Sequence, residues 1–251
     1  MRKNNLLTST ALTTSAMLAS SAALAEPVYN WTGFYIGANA GYGSTELKHD
    51  LNIPAINGVP AHTSASSGRE TTLVGGFQAG YNVMFVPNWL VGIEADIDYL
   101  GASRQSRFDF RSRSEEIVGT QKTRLRWLGT VRGRLGYTWA NTLIYATGGL
   151  AYGDVKSSVD ATRIGIGVGQ FAGSYSTIRT GWAVGAGLEH SLTKLISLRV
   201  EYLHFDLGSF SYNVNLVSGR ALPDVPPAWL AQGSVSGDLV RVGANFKFGP
   251  P

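Results

Sequence analysis

The sequence of 251 residues contains no cysteine. This absence excludes a disulfide-stabilised fold, a thiolate zinc site, a cysteine nucleophile and an iron–sulfur cluster. Charged residues are scarce as well, at 15% of the chain against about 25% in soluble domains. The net charge of +4 is also smaller than the strong basic excess that is typical of a nucleic-acid-binding protein. Glycine is instead abundant, with 31 residues, and the content of apolar and aromatic residues is too high for a disordered chain.

The first 25 residues have the pattern of a secretory signal peptide. Arg2 and Lys3 precede a run of small and apolar residues that ends in Ala23-Leu24-Ala25, a typical cleavage site. We therefore expect an exported protein with a mature domain of residues 26–251. No later stretch reaches the roughly 20 apolar residues that a membrane-spanning helix needs.

Apolar and polar residues alternate with a period of two through most of the mature chain, which is typical of β-strands. Eight such runs occur, at 33–44, 73–85, 90–99, 124–137, 143–153, 178–190, 196–205 and 238–248. Short connections alternate with long segments, which we predict to be loops because they hold most of the prolines and Gly/Ser-rich stretches. These predicted loops are 45–70, 101–122, 154–177 and 206–236.

The composition of the two strand faces favours a membrane barrel over a soluble lipocalin-like barrel, which would also alternate. The polar face is about half glycine and carries few charges, as a narrow lumen would. The apolar face carries aromatic residues near both ends of the runs, which predicts the two girdles of a bilayer-spanning barrel. The predicted girdle residues are Phe34, Tyr42, Phe85, Tyr99, Trp127, Tyr137, Tyr152, Trp182, Tyr202 and Phe246.

Backbone hydrogen-bonding groups in hydrocarbon all need partners, and strands provide these only when the sheet closes. We therefore predict an all-β fold, an eight-stranded antiparallel up-and-down transmembrane barrel. An even strand count leaves both termini and the short turns on the periplasmic side, with the long loops outside the cell.

The few charges of the polar face are predicted to form a paired network inside the lumen, because burial of unpaired charges is costly. Acidic residues of the third strand would face arginines of the fourth, with Asp98 opposite Arg126. The predicted network comprises Glu94, Asp96, Asp98, Arg124, Arg126, Arg132, Arg134, Arg179, Glu189, Arg199, Glu201 and Arg241.

Several strand sequences resemble the small alphaproteobacterial outer-membrane barrels of the RopB-like type. These are WTGFYIGANAGYG at 31–43, YATGGLAYG at 145–153, GWAVGAGLE at 181–189, RVEYL at 199–203 and VRVGANFKF at 240–248. The resemblance spans the mature chain except the long loops, and it implies an outer-membrane location with surface-exposed loops. Members are commonly labelled porin-family proteins, and some are surface antigens or haem binders. Such chains usually end on a terminal phenylalanine that the barrel-assembly machinery recognises, whereas here Gly249-Pro250-Pro251 follow Phe248.

These observations leave three functions open. The first is a structural envelope protein whose loops contact lipopolysaccharide, a host or phage. The second is a small diffusion channel, in which lumen glycines leave space beside the arginines. The third is binding of haem or another ligand by the outer loops, with His49 and His62 as the candidate haem-binding residues. No resident cofactor, metal or nucleic acid is expected. An enzyme is not expected either, because Glu189, His190 and Ser191 are consecutive strand residues that point to opposite faces.

Overall fold

The fold was analysed in a computed structural model, which describes residues 29–54, 61–111, 115–165, 168–219 and 228–248. The predicted signal peptide at 1–25 and the three residues after Phe248 lie outside these ranges. Within the described residues, no helix is long and apolar enough to cross a membrane.

Eight strands form one closed antiparallel barrel in sequence order, β1 to β8. Their bounds are β1 Gly33–Ile53, β2 His62–Val86, β3 Trp89–Arg111, β4 Glu115–Trp139, β5 Thr142–Gly165, β6 Gly169–Ser191, β7 Ile196–Gly219 and β8 Ala228–Phe248. The barrel closes where β1 pairs with β8, from Phe34 opposite Phe248 to Asn52 opposite Leu230. The predicted fold class is therefore confirmed.

A band of exposed apolar side chains surrounds the half of the barrel next to the short turns. In β1 this band runs from Phe34 to Tyr42, which is about 26 Å along the strand. All ten aromatic residues of the predicted girdles point outward and are exposed. An apolar surface of this kind, with aromatic residues at both edges, suits a bilayer and not water.

The predicted long loops are wrong, because most of their residues extend the strands. Each strand has 21 to 25 residues, well beyond the 9 to 11 or so that cross a membrane. Beyond the girdle the pattern inverts. Leu47 and Leu51 of β1 are buried inside, whereas Lys48 and Asp50 are exposed outside. The half of the barrel away from the short turns, which we call the outer half, thus has an apolar interior and a polar exterior, as a water-exposed structure needs.

A β-bulge in β4 lies at the level of the upper girdle. Its register with β5 shifts between Leu125 and Leu128, and the neighbouring residues Arg126 and Trp127 are both exposed on the outside. A bulge adds one residue and so reverses the alternation beyond it. Arg124 and Arg126 therefore lie on the outer surface, which corrects their predicted place in the lumen.

The predicted pairing of Asp98 with Arg126 is wrong, because the β3–β4 register places Asp98 opposite Leu128. A second bulge, in β7, contains Gly208, whose φ of 70° is accessible to glycine without strain.

Aromatic residues lie directly opposite glycines at several positions of the barrel. Tyr35 faces Gly80, Tyr145 faces Gly187 and Phe205 faces Gly237. A Cβ atom on Gly80 would come within 2.4 Å of the Tyr35 hydroxyl, and one on Gly187 within 2.5 Å of the Tyr145 ring. The space beside these interior glycines is therefore filled by aromatic rings. At these positions the glycines therefore leave no free space in the lumen.

Candidate functional site

The lumen at the level of the membrane band is filled by a layer of buried charged side chains, which we call the charge layer. It consists of the carboxylates of Glu94, Asp96, Asp98, Glu189 and Glu201 and the guanidinium groups of Arg132, Arg134, Arg199 and Arg241. Strand register aligns several of these pairs directly. Glu94 is opposite Arg132, Glu189 is opposite Arg199, and Glu201 is opposite Arg241.

Arg132 lies at the centre of the charge layer and contacts three carboxylates. Its Nη2 atom is 2.8 Å from Glu94 Oε1 and 2.6 Å from Asp96 Oδ2, and its Nη1 atom is 3.0 Å from Glu201 Oε1. Its Nε atom donates to Thr130 Oγ1 at 2.9 Å. The Arg132 side chain has no solvent exposure, so these carboxylates replace the water that would otherwise solvate the guanidinium.

Other ion pairs of the charge layer cross the lumen and join opposite walls. Arg199 of β7 contacts Glu94 of β3 at 2.5 Å, and Arg241 of β8 contacts Asp98 of β3. Arg241 also reaches Glu201 at 2.5 Å. A ring of charges along the wall would leave an open pore, whereas these cross-lumen pairs occupy the centre.

Two tyrosines complete the charge layer on the short-turn side. Tyr35 Oη donates to Glu94 Oε2 at 2.7 Å and accepts from Arg134 Nη1 at 3.2 Å. The Arg134 guanidinium carbon lies 3.7 Å from the centre of the Tyr145 ring, within the range of a cation–π contact. Arg134 also pairs with Glu189.

Tyr35 and Tyr145 belong to this site although neither is charged, so charge on the polar face alone does not predict them. Their place on the polar, lumen-facing side of the alternation is the signal that the sequence offers.

Above the charge layer, the outer half of the barrel contains two apolar clusters. The first surrounds Phe205, Leu203 and Leu239, and the second surrounds Trp229, Phe171 and Leu51. The rings of Phe171 and Trp229 stack with their centres 4.0 Å apart. Two kinds of side chain therefore fill the lumen. Charged side chains fill it at the charge layer, and apolar side chains fill it between that layer and the long-hairpin end.

His49 lies between these apolar clusters, inside β1 and not in a loop. It is 2% exposed, and its Nδ1 atom is 3.4 Å from Thr123 Oγ1. Burial, and secondarily the charge of Arg104, lowers the pKa of His49 to about 4, so the ring is neutral at pH 7. The predicted haem site needed an accessible loop histidine at this position, and the structure contradicts that placement. The side chain of His62 lies outside the described part of the chain.

The structure thus brings nine of the twelve predicted network residues into one cluster. The three that it separates from the cluster are Arg124, Arg126 and Arg179. Arg126 lies 3.7 Å from Asp154 on the outer surface, and Arg179 Nη2 donates to the Ser209 carbonyl at 2.6 Å. Arg179 lies where the β6–β7 register shifts, between Ala172 and Trp182, and its side chain is partly exposed there.

The consecutive residues Glu189, His190 and Ser191 do not converge on one site. Glu189 accepts from Ser197 Oγ at 2.5 Å and from Asn245 Nδ2 at 2.8 Å. His190 is exposed on the outside, and Ser191 is buried.

Comparison with known sequences connects this filled barrel to outer-membrane proteins. The chain is 36% identical to the 31 kDa outer-membrane immunogenic protein of Brucella melitensis over 248 residues, which cover 94% of each chain. It is 30% identical to the 22 kDa outer membrane protein of Rhizobium leguminosarum, with 76% of this chain and 71% of the relative covered. The predicted resemblance to alphaproteobacterial outer-membrane barrels is therefore confirmed.

A solved structure of similar fold is the outer membrane protein OprG of Pseudomonas aeruginosa. It superimposes with a TM-score of 0.51 at 13% identity, over 89% of this chain and 100% of OprG, and it therefore supports the fold alone. The sequence model of the outer membrane protein beta-barrel domain matches residues 10–248. With its eight closed strands, exposed apolar band and filled lumen, the chain belongs to this family of outer membrane β-barrel proteins.

Proposed function

We propose that this outer membrane protein is a non-conducting barrel that stabilises the cell envelope and displays its long hairpins at the cell surface. The observation that carries the proposal is the continuous filling of the lumen. Ion pairs such as Arg199–Glu94 cross its centre, and buried apolar residues such as Phe205 and Trp229 lie beyond them. A water-filled channel would need a polar lumen that is wide enough for hydrated ions.

The alternative of a diffusion channel has less support. A channel would need free space beside the lumen glycines, whereas the rings of Tyr35 and Tyr145 occupy that space at Gly80 and Gly187. An enzymatic activity is not part of the proposal.

Insertion by the barrel-assembly machinery is part of the proposal, with Phe248 as the recognised aromatic residue. Phe248 is exposed at the end of β8, and its ring packs against Phe246 with the centres 5.0 Å apart. Relatives named outer-membrane immunogenic proteins support surface display of the long hairpins, where host or phage contacts would occur.

Purified protein is expected to give no steady conductance in planar bilayers, because ions would have to displace buried ion pairs and apolar side chains. The recording should use protein whose gel mobility changes on boiling, which demonstrates a folded barrel. The diffusion channel of an open porin, reconstituted in the same way, serves as the positive control. A large and steady conductance from the folded protein would contradict the proposal.

Cysteine labelling of intact cells tests the orientation. The natural chain has no cysteine, so single substitutions give unambiguous sites. Val217→Cys near the end of a long hairpin is expected to react with a membrane-impermeant maleimide. Leu192→Cys in a short turn is expected to react only after the outer membrane is permeabilised. Both positions are exposed in the barrel, which makes them a matched pair, and the reverse labelling pattern would overturn the orientation.

A further inference from the structure

A cluster of basic side chains lies on the outside of the barrel at the β4–β5 hairpin, and we call it the basic patch. Its members are Lys122, Arg124 and Arg126 of β4 and Lys156 of β5. Arg124 is directly opposite Lys156 in the register, which brings their Cβ atoms to about 5 Å from each other. The bulge at Arg126 and Trp127 creates this patch, because it turns the β4 arginines outward.

The basic patch is only partly neutralised by the protein. The only carboxylate near it in the described ion pairs is that of Asp154, 3.7 Å from Arg126 Nε and 4.0 Å from Lys156 Nζ. No described ion pair involves Lys122 or Arg124. Like charges directly opposite each other across two strands are destabilising, so an anion bound between Arg124 and Lys156 would relieve their repulsion.

The height of the patch relates it to the membrane surface. On the outside of β4, Arg126 is next to the girdle residue Trp127, on the side away from the short turns. In β5, Lys156 lies four residues from the girdle residue Tyr152 in the same direction. Both aromatic residues are exposed. Since girdle aromatics lie at the level of the lipid headgroups, the basic patch meets the headgroup layer and not the bulk solvent.

Charge at this height is distributed unevenly around the barrel. On the opposite face, β7, β8 and β1 carry the carboxylates of Asp206, Asp238 and Glu46 beyond the girdle residues Tyr202 and Tyr42. Cations accompany them there, since Arg69 lies opposite Glu46 and Lys48 is 3.4 Å from it, so this face has mixed charge. Asp238 is already partnered by Tyr202 Oη at 2.6 Å and by His204 Nδ1 at 2.9 Å. A barrel that attracts anionic lipids in general would need basic residues all around it. A single bound headgroup needs them on one face only, as in the basic patch.

We infer that the basic patch binds the phosphate groups of a phosphorylated glycolipid of the outer leaflet, of the lipid A type, with its acyl chains against the apolar band below. Arg124 and Lys156 would hold a phosphate between them, and Arg126 would contact it or its sugar from the girdle side. Arginine and lysine both donate charge-assisted hydrogen bonds to phosphate. The inference depends on the proposed function in one respect only, namely that the long hairpins point to the outside of the cell.

Binding of bisphosphorylated lipid A to the detergent-folded full-length barrel tests this inference, with native mass spectrometry and a fluorescent lipid titration in buffer without divalent cations. The test variant is the double substitution Arg124→Gln/Lys156→Gln. The matched control is Lys48→Gln/Arg111→Gln, which removes the same charge from exposed cations outside the patch. The single substitution Lys156→Gln provides an intermediate step. Heat-dependent gel mobility verifies that each variant is folded.

The double variant is expected to bind bisphosphorylated lipid A at least about tenfold more weakly than the natural protein, and the single variant to lie between them. The control variant should bind within about twofold of the natural protein. A lipid lacking both phosphates should not discriminate between the variants, and inorganic phosphate should not displace bound lipid A at equal concentration.

Equal lipid A affinity of the natural protein and the double variant would overturn the inference, as would an equal loss in the control variant. Displacement of the lipid by equimolar inorganic phosphate would show that the patch binds free phosphate. These outcomes are independent of the conductance and labelling results, so failure of this inference is distinguishable from failure of the proposed function.

Discussion

Replacing Arg132 by methionine is expected to lower the free energy of unfolding by about 3 to 5 kcal/mol. Methionine replaces the aliphatic part of the arginine side chain but carries no charge, so the carboxylates of Glu94, Asp96 and Glu201 each lose a partner within 3.0 Å. These groups remain buried among one another, and breaking a buried pair by removing one partner is far more costly than losing a surface pair. Urea unfolding of the barrel in lipid vesicles, followed by tryptophan fluorescence, measures the change.

Arg126→Met is the matched control because Arg126 lies on the same strand and its side chain is 51% exposed. Its single ion pair, with Asp154 at 3.7 Å, is worth at most about 1 kcal/mol.

The double substitution Arg132→Met/Asp96→Asn removes one charge of each sign, and it is expected to recover part of the lost stability. Equal effects of Arg132→Met and Arg126→Met would contradict the charge layer as a stabilising structure.

Replacing Phe205 by alanine is expected to cost about 3 to 5 kcal/mol of stability. Phe205 is fully buried in the first apolar cluster, and its ring lies over Gly237 of β8, where a Cβ atom would come within 2.8 Å of the ring. Glycine has no side chain that could move into the vacated volume, so the cavity persists. The same urea titration measures this change.

Val217→Ala is the control for this substitution, since Val217 lies on the same strand and is exposed. A surface truncation of this kind changes stability by about 0.5 kcal/mol or less. The Phe205→Ala barrel is also expected to remain non-conducting, because the charge layer below the cavity and the cluster around Trp229 above it are unchanged. Wild-type stability of Phe205→Ala would show that the outer half contributes little to the folded state.

The number and order of strands, the aromatic girdles and the family were predictable from local patterns. In a membrane barrel the apolar face of each alternating strand meets lipid, so the outward direction of the Tyr42 and Trp127 side chains follows from sequence spacing alone. The strand lengths were not predictable in the same way. Beyond Tyr42 the surroundings change from lipid to water, and the hydrophobic pattern inverts at Leu47 and Lys48. A segment with polar residues on its outer face then resembles a loop.

What the sequence by itself determined is a closed barrel with acidic and basic residues in its membrane half, because alternation and the need to pair backbone groups in hydrocarbon are local constraints. Only the tertiary structure decided which charges meet. The bulge at Arg126 and Trp127 shifts β4 by one residue, and a shift of one residue moves every side chain beyond it to the other face. It removes Arg124 from the lumen and presents it to the membrane surface. Barrel closure brings Arg199 and Arg241 across the lumen to Glu94 and Asp98, partners that no spacing along the chain reveals.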